Sequence, residues 1–177
     1  MSKAVLICIR PKWCEKIING DKTIEVRKTR PKLDTPFKCY IYCTIGGRDL
    51  NIPISQERLM RDYLETGSMK SLNCPLGNGK VIGEFTCDQI YELAPLNHAP
   101  DDVEKQACLT REELVNYLKG TGYGWHITDL RIYDEARELR EFTGLRNTRF
   151  GAAPYDIKRA PQSWCYVEEG ERGEENS

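Results

Sequence analysis

The stretch that decides the fold is Ile9-Arg10-Pro11-Lys12-Trp13-Cys14-Glu15-Lys16-Ile17-Ile18-Asn19-Gly20-Asp21-Lys22-Thr23-Ile24-Glu25-Val26-Arg27-Lys28. It follows Ala4–Ile9, a short continuous apolar run that reads as a buried strand. Pro11 suits the first turn of a helix, where a missing N–H costs nothing. Residues 12–19 then place Trp13, Ile17 and Ile18 on one helical face, and Gly20 supplies the stop. Lys22–Arg27 alternates strictly: Ile24 and Val26 are expected to face a core, with Thr23, Glu25 and Arg27 on the other face.

Working outward, Phe37–Thr44 is rich in aromatic and β-branched residues and reads as a third strand, ended by Gly46-Gly47. Ser55 is placed to cap a helix carrying Leu59, Met60, Tyr63 and Leu64. Residues 67–79, with Gly67, Pro75, Gly77 and Gly79, read as a loop. Val81–Cys87 alternates as a strand. Thr110-Arg111-Glu112-Glu113 is a capping box that opens a helix carrying Leu114, Val115 and Leu118. His126–Tyr133 and Ser163–Val167 complete the strand candidates. This is an α+β pattern with a mixed sheet or small barrel, without the regular strand–helix alternation of a doubly wound fold.

The 177 residues, 40% hydrophobic and 30% charged, are enough for one domain with a real core and exclude a disordered chain. No apolar run approaches the length needed to span a bilayer, so no membrane partner is expected, and no secretory signal is apparent. The net charge of −1 hides an asymmetry. Residues 1–38 hold ten Lys and Arg against four acids, while residues 168–177 hold five Glu against Arg172. A basic N-terminal third admits an anionic ligand, or is simply a solvated face. The eight cysteines include no CxxC and no zinc-ligand spacing with His98 or His126, and several sit in apolar strands. Reduced, buried thiols and a cytoplasmic location follow, with no metal and no cofactor implied.

Lys22, Glu25 and Arg27 stand just after a tight turn, beside Arg10, Lys12 and Trp13. Cations neutralise phosphate, a ring stacks on a base, and a carboxylate accepts a base amino group. A half-exposed surface strand would show the same alternation. Ser163 and Trp164, with Lys158-Arg159 before them, are candidates for the same rim, and Lys28 opens a basic loop, Arg27–Lys32.

These residues resemble the ASCH domain family of the PUA-like superfamily. The likeness rests on Gly20-Asp21-Lys22-Thr23-Ile24-Glu25-Val26-Arg27 behind a Pro-containing helix, on Gly79–Phe85, on Gly124-Trp125-His126-Ile127 and on Pro161–Val167. It covers most of residues 3–168, with 48–78 as an insertion and 169–177 as an acidic tail. The resemblance implies a small PUA-like mixed β-barrel with short helices at its rim, a cleft near Lys22 and an RNA-related role. Some members remove an acetyl group from N4-acetylcytidine with a Lys, a Thr nucleophile and a Glu. Lys22 matches their lysine, but their threonine falls on Glu25, and a carboxylate would form an anhydride rather than an ester. Thr23 lies roughly 6.6–6.8 Å along the strand from that position.

Three functional readings follow. The first is an RNA- or nucleotide-binding domain centred on Lys22, Glu25 and Arg27, with Arg10, Lys12, Trp13, Thr23, Lys28, Ser163 and Trp164 around them. The second is a hydrolase of RNA phosphodiesters or modified nucleosides, with Lys22, Glu25 and Glu84 as catalytic residues. The third is a protein-interaction module that recruits its partner through the tail or the insertion.

Overall fold

A computed structural model describes residues 2–50, 52–53, 56–67, 73–74, 77–93 and 99–170. Among the described residues, ten strands and four short helices form an α+β architecture. The chain opens with β1 (Lys3–Ile9), α1 (Pro11–Ile18), β2 (Ile24–Arg27) and β3 (Phe37–Cys43). The short ladder of β4 (Ile52–Pro53) with β5 (Asn73–Cys74) flanks α2 (Gln56–Thr66). Then come β6 (Lys80–Glu92), α3 (Val103–Ala107), α4 (Arg111–Leu118) and β7 (Tyr123–Arg137). The hairpin β8 (Thr143–Thr148) and β9 (Gly151–Asp156) precedes β10 (Trp164–Glu168). The expected cap at Ser55 and most of the acidic tail, 171–177, lie outside the described residues.

Eight strands form one sheet in the order β2-β7-β6-β3-β1-β10-β8-β9. It is mixed: β1 and β3 run parallel, from Val5 opposite Cys39 to Ile9 opposite Cys43, and the other pairs are antiparallel. The expected barrel is corrected here, because the sheet does not close: β2 and β9 are its free edges. Four strand spacings separate β2 from β1, about 19 Å on a flat sheet. Yet Arg27 on β2 donates to the Cys8 carbonyl on β1, so the sheet curls until side chains bridge the gap that a ladder would otherwise fill.

The curl encloses a core built on Val5, Ile7, Ile9, Ile17, Ile41, Phe85 and Trp125. The other sheet face carries a second cluster around Leu6, Tyr40, Val81 and Phe142. A third cluster packs Ile24 and Val26 of β2 under Leu114 and Leu118 of α4. The alternation of β2 is therefore real, but both of its faces are buried: apolar side chains meet the helices and charged ones point into the curl. The capping box opens α4 as expected, with Glu113 N donating to Thr110 Oγ1 at 3.2 Å and Thr110 N donating to Glu113 Oε2 at 2.8 Å. No helix among the described residues is long and apolar enough to cross a membrane.

Candidate functional site

Among the described residues, the buried charged side chains are Lys22, Glu25 and Arg27, at 3%, 6% and 9% exposure. Their burial starts in the backbone. At the end of α1 the chain reverses through Gly20, whose φ of +79° favours a residue without Cβ. The N–H groups of Asp21 and Lys22 both reach the Lys16 carbonyl at 3.0 Å, which hooks the turn against the helix. Thr23 then anchors β2: its N–H donates to the Gln106 carbonyl at 2.8 Å and its carbonyl accepts from Ile127 N at 2.8 Å. With the strand start pinned, Glu25 and Arg27 must share the inward face.

The three charges form one network. Arg27 donates from Nε (3.1 Å) and Nη2 (2.9 Å) to the same oxygen, Glu25 Oε1. Its Nη2 also donates to the Cys8 carbonyl at 2.6 Å and its Nη1 to Ser163 Oγ at 3.1 Å. Lys22 Nζ donates to the Ala107 carbonyl at 2.7 Å, at the end of α3 where that carbonyl has no helical partner, and stands 3.5 Å from Glu25 Oε2. That second oxygen, Oε2, is shut off from solvent and receives no hydrogen bond.

Beside this network opens a cleft of about 620 Å³. Arg10, Trp13, Lys22, Glu25 and Arg27 line it, together with Thr44, Glu113, Tyr117 and Gln162. Lys12 and Lys22 place their ammonium groups 4.7 and 4.9 Å from the Trp13 ring centroid, and Lys28 sits 5.2 Å over Tyr117. Cys8 is also in the wall. Burial pushes its thiol up to about 12, against the opposing pull of the Arg27 guanidinium, so it stays protonated at neutral pH and is no nucleophile there. Among the described residues no three His, Cys, Asp or Glu side chains converge as a metal cage.

The remaining candidates lie elsewhere. Thr23 turns to α3, donating from Oγ1 to Gln106 Oε1 at 3.1 Å. Ser163 stands behind Arg27 as its acceptor. Trp164 packs edge-on against Trp125 and Tyr166, with its indole N–H on Thr29 Oγ1 at 3.0 Å. Glu84 faces a separate groove of about 460 Å³, where Tyr133 OH donates to it at 2.7 Å and Lys38 Nζ lies 3.5 Å away. The structure does not bring Glu84 to Glu25. Tyr117, Glu113 and the Ala107 carbonyl were not among the expected residues. Only the capping box marks that region in the sequence, and it says nothing of which helix face meets β2.

A point mutant of an ASCH protein from Zymomonas mobilis matches with a TM-score of 0.55 over 95% of this chain and 92% of that one, at 15% identity. The unmutated ASCH structure from the same organism matches with a TM-score of 0.54 over 94% and 88%, also at 15% identity. The chain has the ASCH fold. No family model and no curated protein matches the sequence. Within this ASCH fold, the Gly20–Arg27 element is the one that brings three buried charges to the mouth of the cleft.

Proposed function

We propose that this ASCH-fold protein binds RNA or a nucleotide in the cleft beside Lys22, Glu25 and Arg27. The observation that carries the reading is the buried Lys22–Glu25–Arg27 network in the wall of the cleft, in which Glu25 Oε2 accepts no hydrogen bond and is held by the Lys22 ammonium at 3.5 Å. A carboxylate oxygen held by an ion pair alone forgoes a hydrogen bond worth about 1.5–3 kcal/mol. A ligand N–H that displaces the side chains covering Oε2 supplies that bond, and the exocyclic amine or ring N–H of a nucleobase is such a donor. Trp13 and Tyr117 offer ring faces beside it, and the exposed heads of Arg10, Lys12 and Lys28 supply positive charge for phosphate. Arg27 holds Glu25 in place rather than reaching outward, since its guanidinium is spent on Glu25, Cys8 and Ser163.

The test is a tryptophan-fluorescence titration with mixed-sequence single-stranded RNA at low and moderate salt, followed by sizing of the RNA on a gel. Saturable, salt-sensitive quenching with intact RNA is the expected result. Shortened RNA, or cytidine released from N4-acetylcytidine, would replace binding by hydrolysis as the function, with Lys22 stabilising the developing negative charge. The absence of both binding and turnover would contradict the proposal.

A further inference from the structure

We propose that the β8–β9 hairpin is an arm that stacks on single-stranded nucleic acid leading out of the cleft. The inference rests on the nucleotide reading of the cleft and extends it to a polymer. The tip of the hairpin presents Phe150 with 86% of its surface in water. The tip is built rather than loose. Thr148 Oγ1 donates to the Gly151 carbonyl at 2.7 Å and accepts from Phe150 N at 3.2 Å, and Gly151 takes a φ of +111° to close the turn.

Each ring of the hairpin carries its own guanidinium. Arg149 lies 4.6 Å over Phe150 and Arg146 lies 5.8 Å from the Tyr155 ring centroid. Tyr155 is laid across Gly144, where an added Cβ would come within 2.3 Å of the ring. Residues 146–159 contain Arg146, Arg149, Lys158 and Arg159 against a single acid, Asp156. From β9 the chain passes through exposed Lys158 and Arg159 to Gln162 in the cleft wall and Ser163 on Arg27. Along the chain, basic residues and rings thus recur between the tip and the cleft wall. An aromatic face with an adjacent guanidinium fits a base and its phosphate better than a protein core or lipid.

The tip joins β8 and β9, two and three strands out from β1, about 10–14 Å on a flat sheet, so a polymer and a mononucleotide seated in the cleft are expected to respond differently to changes at the tip. The experiment therefore compares a fluorescein-labelled 12-nucleotide mixed-sequence RNA with nucleoside monophosphates, on the full chain and on Phe150→Ala, Phe150→Tyr and Arg149→Ala. Phe150→Ala is expected to weaken the 12-mer roughly 5- to 150-fold, the worth of one stacked base, with monophosphate affinity unchanged. Phe150→Tyr should keep wild-type affinity, and Arg149→Ala should flatten the log–log salt slope by about 0.7. An unchanged 12-mer affinity in Phe150→Ala overturns the arm and leaves the cleft standing. Equal losses for both ligands overturn it as a structural effect. A change in sedimentation instead of affinity would assign the tip to a second copy of the chain. If wild type binds monophosphates but not the 12-mer, the arm is wrong; if it binds neither, the cleft reading falls as well.

Discussion

Arg27 and Glu25, two residues apart on one strand, form a fork on a single oxygen: both Nε and Nη2 of Arg27 point at Glu25 Oε1, and Oε2 faces the Lys22 ammonium at 3.5 Å. The same guanidinium ties β2 to the Cys8 carbonyl on β1 and to Ser163 ahead of β10. It therefore stands in for the ladder that the open sheet lacks.

Removing that guanidinium strands a buried carboxylate and two carbonyl or hydroxyl acceptors at once. Arg27→Ala is expected to lose about 3–5 kcal/mol in urea unfolding. Arg27→Lys should recover only part of it, because one ammonium cannot serve three directions. A loss under about 1 kcal/mol would show that the curl holds without the bridge.

Glu25→Gln keeps the shape of the side chain and turns an acceptor into an amide that can present N–H groups to an incoming N–H. Nucleotide affinity should fall at least about tenfold, the worth of one charge-assisted hydrogen bond. Calorimetric titration of nucleoside monophosphates into wild type and variant, each checked for folding by its melting curve, reads this directly.

Gly83 sits where β6 shifts register against β7, and a Cβ there would lie 2.4 Å from the Arg131 backbone carbonyl. A carbonyl in a ladder cannot swing aside as a side chain can. Gly83→Ala is expected to destabilise the chain by about 1–3 kcal/mol, with circular-dichroism melts as the measurement.

Burial holds the thiols of Cys8 and Cys87 up at about 12, from an ordinary value of 9.0. Between those values the unfolded chain has lost these protons and the folded chain has kept them. Stability therefore falls as pH rises through this window, by up to about 1.4 kcal/mol per pH unit for each thiol. Below pH 9 neither contributes a slope. Urea midpoints from pH 8 to 11 should show the decline, and Cys8→Ala and Cys87→Ala should each flatten it.

The first three elements could be read from the chain because each carries local punctuation. β1 is a continuous apolar run, α1 has Pro11 at its start and Gly20 just past its end, and β2 alternates. The β8–β9 hairpin has no such mark: Gly144, Asn147, Ala152, Ala153 and Pro154 are poor strand formers, and it exists because β8 pairs with β10. Sheet closure is hidden from the sequence for a related reason. Whether β2 ladders onto the far edge depends on the summed twist of intervening strands, which no local pattern encodes. At the site, the inward face of β2 was legible from period two. The turning of Thr23 to Gln106 and the reach of Lys22 to Ala107 join residues more than 80 positions apart, and the sequence holds no trace of them.

The most direct test of the central claim is a fluorescence-anisotropy titration of the 12-nucleotide RNA at several salt concentrations, with wild type and Lys22→Ala. Lys22 is the cation between Trp13 and the Oε2 oxygen of Glu25. The account predicts saturable binding by wild type whose log–log slope is about −0.7 per phosphate neutralised, and weaker binding by a still-folded Lys22→Ala. Equal affinity and equal salt slope in the two proteins would contradict it.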